Sequence, residues 1–149
     1  VLFPANAGDP VKRPLLAQAA IEAANRSGLN AEMHTLRGVT HEKVPIWLNA
    51  SDAVLLTSLH EGSPNIIKEA LACDLSVVSV DVGDVRERIS GIEGCYIALP
   101  DADDLGAKLC LVRARGERIA GRESVQHLSI EETASKLMRF YHECLGHNN

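Results

Sequence analysis

The chain has 149 residues, of which 46% are hydrophobic and 3% aromatic, and its formal net charge is −5. This length fits one domain with a core built from aliphatic side chains, and the hydrophobic content excludes a disordered chain. The acidic balance argues against a nucleic-acid partner, although Lys12 and Arg13 form a local basic exception. No apolar run approaches the roughly 20 residues that cross a bilayer.

The four cysteines, at positions 73, 95, 110 and 144, are far apart and include no Cys-x-x-Cys pair. This spacing supports neither a zinc site nor a disulfide framework, and it favours buried, reduced thiols in a cytoplasmic protein. The chain begins with strand-like Val1-Leu2-Phe3, without an initiator methionine or a recognisable signal peptide. We therefore expect a fragment of a longer protein.

Strand and helix patterns alternate along the chain. Apolar runs bounded by turn residues predict strands at residues 1–3, 31–36, 53–57, 76–80 and 95–99. The segments between and after them predict helices at residues 15–26, 44–49, 63–73, 85–89, 101–113 and 130–145, with a basic loop at 113–122. Such alternation requires right-handed crossovers, so we predict an α/β, doubly wound parallel sheet with helices on both faces.

Ligands of such a sheet bind beyond the carboxyl ends of its strands, where the strand order reverses. The loops at residues 4–14 and 58–64 are both expected there. Lys12 and Arg13 in the first loop are suited to a diphosphate, although a solvated charge pair at a helix start explains them as well. Because the two loops are predicted neighbours, we favour the phosphate interpretation.

The second loop, at residues 58–64, leads from a buried strand into a helix. Ser63 is expected to cap that helix, and Pro64 to occupy its first position, where a missing N–H has no consequence. Backbone N–H groups and the positive end of the helix dipole then face one spot, which suits a phosphate.

Two glutamates frame that spot. Glu61 lies in the turn, and Glu69 lies at the edge of the apolar arc of the helix, beside Asn65 and leaning toward the turn. Carboxylates in these places can accept hydrogen bonds from sugar hydroxyls. A turn residue and a dipole-compensating surface charge are an equally consistent interpretation of the two residues alone.

Other motifs exclude several functions. Asp101-Ala102-Asp103 has the form of a metal signature, but it precedes a predicted helix, so we expect a cap and no metal. The six histidines lack metal-ligand spacing. No glycine-rich dinucleotide fingerprint or Walker loop is present, which excludes NAD and P-loop proteins. Val82-Gly83-Asp84 fits a turn and a cap on the same rim as Glu61.

Together these residues resemble the C-terminal, nucleotide-sugar-binding domain of GT-B glycosyltransferases, specifically the retaining group with a Glu-x7-Glu signature. Glu61 and Glu69 have this spacing within Glu-Gly-Ser-Pro-Asn-Ile-Ile-Lys-Glu-Ala-Leu-Ala-Cys, and residues 49–58 and 77–87 match as well. The resemblance covers nearly the whole chain and is strongest over residues 49–87. It implies a Rossmann-like fold.

The resemblance also implies a role for each site residue. Glu61 would contact hydroxyls of the donor sugar, and Glu69 would accept the ribose hydroxyls. Lys12, with Arg13 beside it, would meet the diphosphate and stabilise the departing nucleotide, so that Glu61 and Lys12 are the catalytic pair. The remaining donor-binding positions are the turn formed by Gly62, Ser63, Pro64 and Asn65, and Gly38 and Val39 against the base.

The chain departs from the family pattern in three places. The usual arginine after the first strand is replaced by Ala5-Asn6-Ala7, which leaves the phosphates to Lys12 and Arg13. A Gly-Pro-like pair before the fourth strand is here Asp74 and Ser76. Only one strand precedes Trp47 after the first helix, where the family has two, so the expected order is 2-1-3-4-5 with one edge strand absent.

The resulting expectation is a single domain, residues 1–149, that forms the donor-binding half of a hexosyltransferase of polysaccharide or glycoconjugate biosynthesis. It would bind a nucleotide-diphosphate sugar without metal or other cofactor, and the full enzyme would transfer the sugar with retention. We expect the fragment to be inactive without its N-terminal acceptor domain, and the enzyme to be cytoplasmic or peripheral to a membrane through that domain.

Two alternatives remain at this stage. One is a UDP-sugar 2-epimerase-like domain, whose sequence around the nucleotide-binding helix differs from Glu-Gly-Ser-Pro-Asn. The other is a flavodoxin-like interaction domain without enzyme activity. A receiver domain of that kind needs an acidic pair after the first strand and an aspartate at the end of the third, where this chain has Pro4-Ala5-Asn6 and Thr57-Ser58.

Overall fold

A computed structural model describes residues 1–4 and 9–146. The strands are β1 (Leu2–Phe3), β2 (His34–Thr35), β3 (Ala53–Leu56), β4 (Ser76–Val80) and β5 (Tyr96–Ala98). The helices are α1 (Pro14–Arg26), α2 (Val44–Asn49), α3 (Asn65–Ala72), α4 (Val85–Ile89), α5 (Ala102–Arg115), α6 (Arg122–Val125) and α7 (Ile130–Cys144). Single 3₁₀ turns precede α1, α2 and α7 at Pro10–Lys12, His41–Lys43 and Gln126–Leu128.

The five strands form one parallel sheet in the order β2-β1-β3-β4-β5, as predicted. Val54 of β3 lies opposite Leu2 of β1 on one side and Val77 of β4 on the other. The order reverses between β1 and β3. The loops that follow these two strands therefore lie side by side at the carboxyl edge of the sheet, as a doubly wound fold requires.

The core occupies both faces of the central strands. All residues of β3 and β4 are buried, because helices cover the sheet on both sides. Apart from Phe3, the largest fully buried side chains are aliphatic, as the low aromatic content predicts. Each such side chain contributes about 1.5–3 kcal/mol to folding.

Helix α1, which follows the Lys12 loop, is held by close packing against α5. A Cβ atom added to Gly106 of α5 would stand 2.9 Å from the Cβ of Ala23. The two helices therefore approach through small residues, including the buried Ala20 and Ala24. This contact holds the C-terminal half of α1 against α5.

Some predicted elements agree with the structure residue by residue, namely the helices at 44–49 and 85–89 and the strand at 76–80. The strand predicted at 31–36 is wrong in length, because only His34 and Thr35 pair with the equally short β1. The basic segment predicted as a loop at 113–122 is wrong at both ends, because α5 continues to Arg115 and the short helix α6 begins at Arg122. The predicted cap at Asp101 is confirmed, since its carboxylate accepts the backbone N–H groups of Asp103 and Asp104.

All four cysteines are free, and Cys73, Cys95 and Cys110 are partly buried. The expectation of buried thiols is wrong for Cys144, which is exposed near the end of α7. Burial raises the pKa of the Cys95 thiol to about 11. Cys95 is therefore a neutral packing residue at ordinary pH.

Within residues 1–4 and 9–146, no helix combines the length and the hydropathy that a membrane span needs. The same part of the chain contains no group of three or more His, Cys, Asp or Glu residues arranged to hold a metal ion.

Candidate functional site

The chain leaves β3 through two buried hydroxyl residues, Thr57 and Ser58. Thr57 Oγ1 donates a hydrogen bond to the carbonyl oxygen of Lys12 at 2.7 Å, and the N–H of Leu59 donates to the carbonyl oxygen of Val11 at 2.8 Å. A buried hydroxyl without a partner is destabilising, so these bonds hold the Lys12 loop against the end of β3. The sequence interpretation did not include this role for Thr57.

Glu61 and Lys12, 49 positions apart in sequence, meet at this edge of the sheet. Lys12 Nζ lies 2.5 Å from Glu61 Oε1, and Ser58 Oγ donates to the same oxygen at 2.7 Å. Only 16% of the Glu61 side chain is exposed. Hydrogen bonds to an ionised carboxylate are stronger than neutral ones, so the Glu61 side chain is held in one orientation by two donors.

The environment of Glu61 keeps it ionised. Burial by itself raises the pKa of Glu61, but the hydrogen bonds from Lys12 and Ser58, together with the Lys12 charge, hold that pKa below its ordinary value. The carboxylate is therefore an acceptor, and not a proton donor, at neutral pH.

The start of α3 differs from the prediction at two residues. Pro64, in extended conformation, takes the cap position, and the helix begins at Asn65, so the capping role predicted for Ser63 and the first helical position predicted for Pro64 are both wrong. Ser63 Oγ donates instead to Asp84 Oδ2 at 2.7 Å. Among the residues that the structure describes, no side chain caps α3, while Asn65 Oδ1 accepts a hydrogen bond from Lys68 Nζ at 3.3 Å.

Gly83, after β4, packs against the Glu61 turn at very short range. It has a φ of +56°, and a Cβ atom there would stand 2.2 Å from the carbonyl oxygen of Gly62. Both the conformation and the approach require glycine. The only sequence signal for this contact is a glycine at the end of a strand on the same rim, interpreted above as part of a turn.

Glu69 lies in the second turn of α3, and 31% of its side chain is exposed. Its Oε1 lies 3.9 Å from Nδ1 of His41, an exposed residue in the loop after β2. Gly38 and Val39, predicted to face a base, lie three and two positions before His41, respectively. The structure therefore places the loop that contains them beside Glu69.

Arg13 does not follow Lys12 toward Glu61. It has a φ of +52° and forms the boundary between the 3₁₀ turn and α1, and its Nη2 donates to the carbonyl oxygen of Pro100 at 3.3 Å. The two basic side chains therefore diverge. Ala5, Asn6 and Ala7, which replace the family arginine, lie outside the described residues.

A separate groove of about 460 Å³ opens at the opposite edge of the sheet, where the strands begin. It is lined by Val1, Ala53 and Ser76, among others, and by none of the predicted site residues. The two glutamates and Lys12 are thus confined to the carboxyl edge.

Comparison with known proteins identifies the class. The family model described as "Glycosyl transferases group 1" matches residues 7–113, and the chain belongs to this family. The solved structure of sucrose-phosphate synthase from Thermosynechococcus elongatus is similar to the chain with a TM-score of 0.77 at 18% identity. The match covers 99% of this chain and 46% of that one, so the chain spans about half the length of that structure.

The likeness to this solved structure confirms the Rossmann-like fold of a GT-B protein. A search of curated proteins found no match. Neither the epimerase alternative nor the flavodoxin-like alternative gains support from these comparisons.

Proposed function

We propose that the chain is the donor-binding domain of a retaining hexosyltransferase and binds a nucleotide-diphosphate sugar at the carboxyl edge of its sheet. Membership of the glycosyl transferase family supports transfer of a sugar. The chain spans 46% of the similar structure, which supports a second domain for the acceptor in a longer protein.

The observation that carries this proposal is the meeting of Lys12 and Glu61 beside the start of α3. A cation and an ionised carboxylate are held 2.5 Å apart by elements from different parts of the chain. Glu69, on the same helix, presents a second carboxylate that is less constrained. A donor carries both negative phosphates and hydroxyl groups, so it needs a cation and carboxylate acceptors in one place.

In the proposed complex each group meets one part of the donor. Glu69 accepts hydrogen bonds from the ribose hydroxyls, and Gly38 and Val39 lie against the base. Glu61 accepts a hydroxyl of the transferred sugar. Gly62, Ser63, Pro64 and Asn65 form the turn around the sugar and the diphosphate.

Lys12 is the proposed electrostatic catalyst. When the bond between the sugar carbon and the diphosphate oxygen breaks, negative charge grows on the leaving diphosphate. An ammonium has three N–H donors, so Lys12 can keep its bond to Glu61 and still reach a phosphate oxygen. Together with the N-terminal end of α3, it stabilises the leaving group without a metal ion, whereas Arg13, directed to the Pro100 carbonyl oxygen, has no main part in this step. The acceptor hydroxyl then attacks the sugar carbon from the same side and gives its proton to the oxygen of the leaving diphosphate, which retains the configuration.

Titration calorimetry of the chain with UDP, GDP, ADP and their sugar conjugates tests the proposal. Because the chain contributes only one side of the proposed cleft, we expect a dissociation constant on the order of 0.1 to 1 mM for the preferred nucleotide, which is about −4 to −5.5 kcal/mol. EDTA should leave the affinity unchanged. In NMR spectra, the amide chemical shifts within residues 62–69 should change when the nucleotide is added. If no nucleotide perturbs these amides, the proposed function is wrong.

A further inference from the structure

Two turns lie next to each other at the carboxyl edge of the sheet, one at residues 61–64 after β3 and one at residues 81–84 after β4. Each contains a residue of the kind that caps helices, Ser63 before α3 and Asp84 at the cap position of α4. Neither residue caps its own helix through its side chain. Serine and aspartate are among the strongest capping residues, so the side chains of Ser63 and Asp84 must make another interaction in place of capping.

That interaction is a bond between the two residues. Ser63 Oγ donates to Asp84 Oδ2 at 2.7 Å, and Arg88 Nε, one helical turn later, donates to the same oxygen at 2.8 Å. The N–H of Asp84 donates to the carbonyl oxygen of Gly62 at 3.1 Å. The 61–64 turn is thus fastened to the 81–84 turn by a side-chain bond and a backbone bond to one residue.

We infer that Asp84 is a positioning residue, which holds the 61–64 turn in place for the donor through Ser63 and Gly62 and is itself oriented by Arg88. The effect on donor binding rests on the proposed function, whereas the attachment of the turn does not. Glu61 begins this turn, and a displacement of about 1 Å in a reacting group is enough to reduce a rate severely.

Charge favours the same arrangement. Burial by itself raises the pKa of Asp84, but the bonds from Ser63 and Arg88 and the charge of Arg88 hold that pKa below its ordinary value. The carboxylate therefore remains an acceptor for Ser63 at neutral pH. Protonation would remove the charge that Arg88 pairs with.

The chain contains a matched control. Asp81, at the start of the same turn, pairs with Arg86 at 2.8 Å, as Asp84 pairs with Arg88. Asp81 is exposed, and its carboxylate is bonded to Arg86 rather than to the 61–64 turn. Asp84→Ala and Asp81→Ala therefore remove the same group and the same kind of ion pair, but only the first loosens the 61–64 turn.

Two measurements on the complete chain test the inference. The first is hydrogen exchange of the amide at position 84, which donates to Gly62, without any ligand. We expect Asp84→Ala to lower its protection factor at least tenfold and Asp81→Ala to leave it unchanged. Asp84→Asn, which keeps an acceptor oxygen for Ser63, should restore most of the protection. If Asp84→Ala does not fold, Ser63→Ala, which removes the donor of the same bond, takes its place and should also lower the protection factor.

The second measurement is titration with UDP, GDP and ADP. Asp84→Ala should raise about tenfold the dissociation constant of the diphosphate that the wild-type chain binds. Adding Ser63→Ala should raise it no further. Unchanged protection, or unchanged affinity in Asp84→Ala, would overturn the inference. If the wild-type chain binds none of the three, the proposed function fails, and the protection factor at position 84 still decides whether Asp84 holds the turn.

Discussion

The side chains of the two glutamates at the candidate site differ in how firmly they are held and in how exposed they are. Glu61 is held by Lys12 at 2.5 Å and by Ser58 at 2.7 Å, with 16% of its side chain exposed. Glu69 faces the exposed His41 at 3.9 Å and is about twice as exposed, at 31%. One carboxylate is fixed before any ligand arrives, and the other retains freedom to turn.

This difference suggests why two carboxylates are needed. A group that is already oriented stabilises developing charge without reorganisation, which suits the reacting sugar and the leaving group. A looser group can close on a ligand, but ordering its side chain opposes binding. We therefore expect Glu61 to act mainly in the transfer step and Glu69 mainly in nucleotide affinity.

The largest expected effect comes from disturbing the support of Glu61 at Gly83. In Gly83→Ala the left-handed conformation costs about 1–2 kcal/mol, and moving the backbone away from Gly62 costs about 1–3 kcal/mol more. We therefore expect the free energy of unfolding, measured in urea, to fall by roughly 2–5 kcal/mol.

Gly28→Ala is the matched control for this variant. Gly28 also has a positive φ, of +87°, but a Cβ atom there would meet nothing within 4 Å. In Gly28→Ala the free energy of unfolding should fall only by the cost of the left-handed conformation, about 1–2 kcal/mol. Equal losses in the two variants would mean that the approach of Gly83 to Gly62 has no energetic importance.

The next effect separates the roles of the two glutamates. Glu69→Ala should weaken the binding of a nucleoside diphosphate and of its sugar conjugate alike by roughly 1.5–3 kcal/mol, since both carry the ribose. Glu61→Ala should leave the bare nucleotide nearly unchanged and should cripple sugar transfer when the acceptor domain is present. Titration of both variants with both ligands measures this. If Glu61→Ala weakens the bare nucleotide as much as Glu69→Ala, the assignment is reversed or wrong.

A smaller effect distinguishes the two neighbouring cations. Lys12→Ala should weaken the binding of the nucleoside diphosphate by about 1.5 kcal/mol. This is the lower end for a hydrogen bond to a charged group, because 30% of the Lys12 side chain is exposed to solvent. Arg13→Ala should have less effect, within about 0.5 kcal/mol, since its guanidinium is directed to the Pro100 carbonyl oxygen. Titration at low and high salt should show a weaker salt dependence for Lys12→Ala. An equal loss in Arg13→Ala would mean that Arg13 turns toward the phosphates on binding.

The smallest effect concerns pH. The pKa values of Glu61 and Asp84 are lower in the folded chain than their ordinary values. Their contribution to the free energy of unfolding is therefore complete above the unfolded pKa and is lost as pH falls through the folded one, beginning at about pH 4.5 for Glu61. Urea unfolding between pH 6 and 3 should show a shallower decline for Glu61→Gln than for the wild type. An unchanged slope would contradict the inferred stabilisation by Lys12 and Ser58.

Much of this architecture follows from local patterns. The alternation of apolar runs with helical segments predicts a parallel α/β sheet, and the residue-by-residue agreement at 76–80 and 85–89 reflects strong apolar runs with clear turn residues on both sides. The strand predicted at 31–36 is longer than the observed one because an apolar pattern does not reveal how many residues the neighbouring strand offers for pairing. The short helix α6 had no distinct hydrophobic period and was missed.

Local patterns alone predict the parallel sheet, the edge at which the loops gather, and the spacing of Glu61 and Glu69 on one turn and one helix, whereas the expected strand order comes from the resemblance to the family. The partners of these residues are set by contacts between distant segments, which no local pattern contains. Ser63 and Asp84 each favour a local cap, but the parallel pairing of β3 with β4 brings their turns together, and the bond between them replaces both caps. Local preferences are worth about 1 kcal/mol each, so contacts between distant segments readily override them.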